Sequence, residues 1–298
     1  MQRQLKRQQT SVLDLAYETW GASDGFPTLL LHGFPDDARS WNAVAEGLTK
    51  AGHRVIAPYL RGFGPTRFLE EATPRSGQLA ALTTDVLELT EALGLERFAL
   101  VGHDWGARAA QAVAALYPER VERLVSFTDY EIAWNDEGFP PYEVLHALWY
   151  QWVLMSEMGP PLLYTDRRGF CRYLWQAWSP TWKFDDTAFA EAANSFDNPD
   201  FVEIVLSAYR HGRHEEAVDN PRYTELEAQL AIGPAITVPT TLLIGADDGI
   251  VRPYPGDECW RAHFTGKATR HLLEGVGHFA HRERPQAVVE AVIEGVSA

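Results

Sequence analysis

Six short apolar runs punctuate the chain, and their brevity is the strongest constraint on its fold. They are 28–31 (TLLL), 53–57 (HRVIA), 98–101 (FALV), 121–127 (VERLVSF), 240–244 (TTLLI) and 269–273 (TRHLL). Each is too short for a core helix and suits a buried strand. A looser alternation over 12–19 reads as a further strand, with a turn at 21–25 after it. Between the runs the spacing becomes helical. Residues 40–51 set Trp41, Val44, Ala45 and Leu48 on one face before Gly52, and 77–93 repeat Leu79, Leu82, Val86, Leu89 and Leu93 before Gly94. Residues 107–117 form a third helix ending before Pro118, and 285–296 a last one with Pro285 near its start. Strands alternating with helices predict an α/β fold: a mostly parallel, doubly wound sheet covered on both faces.

From about 131 to 236 the strand-like runs stop and aromatic residues crowd in, among them Trp134, Trp149, Trp152, Trp175, Trp178 and Trp182. This predicts an inserted helical cap over 131–236 between core segments 1–130 and 237–298. With 298 residues, 46 % of them hydrophobic, the chain can bury a core large enough for such an arrangement. Its formal charge of −15 argues against nonspecific binding to nucleic acid or anionic membranes, which needs clustered Lys and Arg. Cys171 and Cys259 are the only cysteines, so neither a disulfide framework nor a cysteine-rich metal site is expected. Arg3, Lys6 and Arg7 are followed by polar Gln8, Gln9, Thr10 and Ser11 where a signal peptide needs an apolar core. No run reaches the roughly 18 apolar residues of a membrane span. The expected location is the cytoplasm.

The run 98–101 ends in Gly102-His103-Asp104-Trp105-Gly106 and leads into an alanine-rich helix. Small residues on both sides of Asp104 allow a sharp strand-to-helix turn that lifts its side chain above the sheet edge. Other strand ends carry His32-Gly33-Phe34-Pro35, Asp247-Asp248 and His278. In a doubly wound sheet those ends share one crevice, so residues distant in sequence can meet. Asp248 is the candidate acid, with Asp247 and Asp129 as rivals. His281 rivals His278 and is expected on the surface or at the cap interface. Metal pairs from His278 with His281, or His211 with His214, lack further evident ligands.

With the elbow GHDWG, the loop HGFP and the order Asp104, Asp248, His278, the chain resembles the α/β-hydrolase fold along nearly its whole length. Within that fold it is similar to the epoxide hydrolase and haloalkane dehalogenase branch, whose nucleophile is Asp. A carboxylate suits attack on sp3 carbon: the ester it forms has a carbonyl that water can attack, whereas a serine ether has none. His278 is then the base for water, oriented by Asp248. The resemblance implies an oxyanion hole from the backbone N–H groups of Phe34 and Trp105. It also implies cap tyrosines at Tyr150, followed by Gln151, and Tyr209, followed by Arg210, to activate an epoxide oxygen. His32, Trp105, Gln151 and Trp152 are its candidate substrate contacts; Trp152 is similar to a halide-binding residue of fluoroacetate dehalogenases. Those enzymes carry Arg and His where this chain has Trp105 and Gln151, leaving Arg108 as a carboxylate partner. At Phe34, haloalkane dehalogenases carry a donor that Phe lacks. Tyr59 stands where relatives often carry Asp before the loop RGFG, and Pro65-Thr66 after it are less typical.

The resulting expectation is hydrolysis of a small apolar epoxide, with water as co-substrate and no cofactor or metal. The alternatives are a haloalkane or haloacid dehalogenase and a noncatalytic receptor on the same fold.

Overall fold

The computed structural model describes residues 3–133, 142–211, 220–250 and 259–294. Trp134 and His214 lie outside them. The strands are β1 (Gln4–Gln9), β2 (Leu13–Trp20), β3 (Phe26–Leu31), β4 (His53–Pro58), β5 (Arg67–Phe68), β6 (Phe98–Gly102), β7 (Val121–Ser126), β8 (Thr240–Gly245) and β9 (Ala268–Leu273). They form one sheet in the order β1-β2-β4-β3-β6-β7-β8-β9, with β5 beside β2. Pairing is parallel from β4 through β9 and antiparallel where β1, β2 and β4 meet.

The continuous apolar runs now have a cause. Leu29 and Leu31 enter one core and Leu30 the other; Leu100 and Val101 divide likewise, as do Leu242 and Leu243. Alternate side chains leave a strand on opposite faces, so a strand buried on both must be apolar throughout. Helices α1 (Asn42–Lys50) and α11 (Pro285–Ile293) cover one face, α2 (Leu79–Ala92) and α3 (Trp105–Leu116) the other. A short 3-10 turn, Ala38–Trp41, leads into α1, so that helix begins later than its apolar spacing predicts. α1 stops where Gly52 adopts φ 88°, a conformation that favours glycine. Periodicity misses two strands: β1, QLKRQQ, an exposed antiparallel edge with no apolar face, and β5, only two residues long.

Between β7 and β8 the described elements are helices: α4 (Tyr142–Ala147), α5 (Trp149–Met155), α6 (Gly159–Trp178), α7 (Asp186–Ala193), α8 (Phe201–His211) and α9 (Thr224–Ala231). Their apolar faces join the core that α2 and α3 cover, through residues such as Leu154, Trp175 and Ile204. Burying side chains of that size contributes about 1.5–3 kcal/mol each. Polar ties add register. The Trp175 indole N–H donates to the Pro35 carbonyl at 2.8 Å, and Ser195 Oγ donates to Asp37 at 2.6 Å. The helices are thus docked onto the loop that follows β3. A short helix, α10 (Ala280–Glu283), follows the loop after β9.

Candidate active site

β3 lies between β4 and β6, so chain connections depart to opposite sides on either side of it. That is the switch point at which doubly wound sheets open a crevice. The end of β3 supplies Phe34 and the end of β6 supplies Asp104. Asp104 has φ 53°, the sole non-glycine at positive φ among the described residues. A non-glycine residue is held there only when its surroundings over-determine it. Those surroundings are tight: a Cβ on Gly106 would sit 2.2 Å from the Leu31 carbonyl oxygen, and one on Gly33 would sit 2.4 Å from Asp104 Oδ1. Glycine at both places lets the elbow press against the loop after β3.

The Phe34 N–H donates to Asp104 Oδ1 at 2.7 Å, and the Trp105 N–H also favours the carboxylate. Burial raises the Asp104 pKa, while His278 and these two amides pull it down. Asp104 Oδ2 faces His278 Nε2 at 3.9 Å, beyond direct hydrogen bonding. His278 Nδ1 lies 2.9 Å from Asp248 Oδ2. Burial opposes the imidazolium, but Asp248, Asp104 and Glu131 outweigh it, and the His278 pKa is raised. The loop holding Asp248 is itself fixed, since Asp248 Oδ1 accepts from the Ile250 N–H at 2.7 Å.

Asp129 is engaged elsewhere: both its oxygens accept from Arg270, at 2.8 and 2.7 Å. His281 departs from expectation. It is fully buried beside Trp41 and His103, 4.4 Å from each ring, and not at the surface or the cap interface. Its Nε2 is 3.4 Å from Asp36, whose carboxylate is paired with Arg282 at 2.7 and 2.6 Å. Burial dominates and lowers the His281 pKa to about 4. Among the described residues no group of three or more His, Cys, Asp or Glu could hold a metal ion.

The inserted helices bring aromatic side chains over Asp104. The Tyr209 ring lies 5.6 Å from those of Phe34 and Trp105, and 5.5 Å from that of Tyr150 at 88°. Trp178, at the end of α6, packs 4.8 Å from Tyr150 and 5.1 Å from His278. Burial, then the Asp104 charge, raises the Tyr150 pKa; burial, then Tyr150 and Asp104, raises that of Tyr209, so both phenols stay protonated. Gln151 Nε2 donates to the Tyr150 hydroxyl at 3.1 Å. The Tyr209 hydroxyl lies near Tyr150 and Trp105 without reaching hydrogen-bond geometry with either.

Two expected substrate contacts are corrected. His32 is fully buried, and both ring nitrogens meet backbone: Nε2 accepts from the Leu60 N–H at 3.0 Å and Nδ1 bonds the Gly33 carbonyl at 3.0 Å. It ties two loops together and has no nitrogen left for a substrate. Trp152 is 40 % exposed, because the turn of α5 that buries Tyr150, Gln151 and Leu154 points it outward. Conversely, Glu131 escaped notice because nothing in its local pattern marks it. Arg108 donates to the Glu131 carbonyl at 3.2 Å. The Glu131 carboxyl lies deep enough that burial raises its pKa to about 7; Arg108 works against that rise and Asp104 adds to it.

Comparison with known proteins follows the same lines. A family model described as the alpha/beta hydrolase fold matches residues 27–154. A Klebsiella pneumoniae protein whose structure was solved as a candidate epoxide hydrolase is 40 % identical, with 98 % of this chain and 96 % of that one aligned at a TM-score of 0.93. The chain belongs to the α/β hydrolases, in their epoxide hydrolase-like branch. Epoxide hydrolase 3 of Siraitia grosvenorii is 40 % identical to this hydrolase over 100 residues, 34 % of this chain, and that match spans only 31 % of the plant protein's length. An epoxide hydrolase of Caballeronia sordidicola is 26 % identical over 295 residues, covering 90 % of this enzyme and 87 % of the relative. No helix among the described residues of the enzyme is long and apolar enough to cross a membrane.

Proposed function

We propose that this enzyme hydrolyses an epoxide to a vicinal diol through an ester on Asp104. The observation that carries the reading is the pair of protonated tyrosines over that carboxylate, with the Tyr209 hydroxyl unpartnered among the described residues. An epoxide oxygen leaves as an alkoxide, which needs such a donor. Asp104 Oδ2 attacks a ring carbon, the carbon–oxygen bond breaks, and the oxygen takes a proton from a tyrosine. His278 Nε2 then takes a proton from water, whose oxygen attacks the ester carbonyl. The Phe34 and Trp105 N–H groups hold the resulting oxyanion, an arrangement worth about 3 kcal/mol per donor. Collapse releases the diol, its alkoxide taking the proton back from His278, and leaves Asp104 as the carboxylic acid, whose proton returns through water to the tyrosinate so that both groups regain their starting states. Asp248 orients the imidazole and stabilises its cation. Tyr150 and Tyr209 share the acid role, Gln151 aims the first, and the inserted helices act as a cap.

A haloacid suits the site poorly, since the Arg108 Nε–H is already donated to the Glu131 backbone carbonyl. Haloalkane cleavage stays as a second reading on one observation: the buried Trp178 indole N–H has no partner among the described residues. With Trp105 it offers weak donors of the kind a halide accepts. Offering aryl and alkyl epoxides beside haloalkanes and fluoroacetate, and measuring diol and halide, decides between them. Diol from the epoxides is expected; halide release without diol would overturn the proposal.

A further inference from the structure

Behind the elbow, on the side away from the tyrosines, lies a buried imidazole for which the proposed reaction has no use. His103 is fully buried, and its Nε2 is 3.0 Å from the backbone carbonyl of His278. The two imidazole rings pack 4.6 Å apart at 61°. We propose that His103 is a positioning residue for the water-activating His278. This rests on the reading that His278 hydrolyses an ester on Asp104.

A carbonyl only accepts, so the hydrogen bond requires the proton of His103 on Nε2. Burial lowers the His103 pKa well below the ordinary value, so the ring carries that single proton and no second. Its Nδ1 has no partner among the described residues, where the neighbouring ring is His281 at 4.4 Å. The tautomer is therefore selected by the His278 carbonyl.

The His278 N–H donates to the Trp178 carbonyl at 3.0 Å, and its Nδ1 is tied to Asp248. With the His103 bond, the backbone is held at both ends and the ring at one nitrogen, which leaves Nε2 aimed at Asp104. His103 is the residue before Asp104, so the turn that presents the nucleophile also holds the loop that presents the base. One side chain thus ties the loop of the base to the turn of the nucleophile.

A residue acting through His278 should matter to ester hydrolysis and not to ester formation. His103→Phe keeps the ring volume and removes the donor. His103→Gln replaces it with an amide whose Nε2 reaches a similar point. In single-turnover experiments with an epoxide substrate, His103→Phe should slow ester hydrolysis about tenfold to a hundredfold, since small misplacements of a reacting group cost that much. The ester should accumulate in intact-mass spectra while its formation stays within about twofold. His103→Gln should restore hydrolysis to within about threefold of the parent. Equal slowing of both half-reactions in His103→Phe, an unchanged rate in it, or no recovery in His103→Gln would each overturn the proposal.

Imidazole 15N spectra of the unaltered enzyme test the same point without turnover. They should show His103 as the Nε2–H tautomer with no titration near neutral pH. An Nδ1–H tautomer, or a titration near neutrality, would overturn the proposal even if His103→Phe failed to fold. Absence of turnover on any epoxide, with the Nε2–H tautomer present, would count against the reaction and not against the placement of His103.

Discussion

The floor and the roof of the crevice are built on different principles. On the floor, at the strand ends, hydrogen bonds orient the groups: Asp104 Oδ1 accepts from the Phe34 amide, His278 Nδ1 is tied to Asp248 and His32 to two backbone groups, while His278 Nε2 stays open toward Asp104. On the roof, Tyr150, Tyr209 and Trp178 are held by ring packing, and the Tyr209 hydroxyl and Trp178 indole N–H have no hydrogen-bond partner among the described residues. A buried polar group without a partner costs free energy, and one way to recover it is to bind a substrate that supplies the partner. The difference separates the chemistry in two. In the proposed reaction the floor serves the formation and hydrolysis of an ester on Asp104, and the roof serves the leaving group and so the choice of substrate.

Substitutions should expose that division in order of severity. Asp104→Ala removes the atom that forms the ester, and turnover should drop on the order of 10⁴-fold or more with no covalent adduct by intact mass. His278→Gln should slow turnover about a thousandfold, yet with the ester trapped on the protein, because the first step does not need the base. An adduct-free His278→Gln enzyme would break the assignment of floor residues to a second step.

On the roof, Tyr209→Phe and Tyr150→Phe should each slow ring opening about tenfold to a hundredfold, seen as slower ester formation in rapid mixing. Unchanged formation in both variants would reduce the tyrosines to packing. If either variant affected haloalkane turnover as strongly, the roof would not be distinguishing leaving groups at all.

Acid should find the floor first. The His281 pKa in the folded protein, about 4, lies below the ordinary 6.5 of an exposed imidazole. The unfolded chain therefore takes up the proton first as pH falls. Stability contributed by the neutral ring is present above about pH 6.5 and is lost on descent to about pH 4, by about 3 kcal/mol. His103, shifted the same way by burial, adds to the loss. Urea unfolding at a series of pH values measures it; a flat profile across that window would show that these imidazoles are not buried neutral.

The smallest effect belongs to Glu131, whose charge helps raise the His278 pKa. In Glu131→Gln that support disappears, so the acid limb of the rate profile should move to lower pH. A move to higher pH would reverse the sign of the interaction.

The chain's local patterns determine most of the architecture. Strands buried on both faces must be apolar at every position, and amphipathic helices must repeat with their turn, so β3, β6, β8, α1 and α2 are legible within a few residues. The turn at Asp104 is legible too, because a strand, the glycines of Gly102-His103-Asp104-Trp105-Gly106 and a helix mark a sharp bend centred on it. β1 is not, since an exposed edge strand carries no such signal. Periodicity alone does not separate Asp247, Asp248 and Asp129, since each follows a strand, and the preference for Asp248 comes from the resemblance to a known family. Only the order of strands in the sheet and the path of each loop set Asp248 against His278 and Asp129 against Arg270. His281 and His32 are polar and read as surface or site residues until the tertiary packing encloses them. Trp152 reads as a site residue until the rotation of α5 turns it outward. Pairings across the crevice join residues far apart in sequence, so the chain's periodicity carries no trace of them, and the folded sheet alone decides which side chains meet.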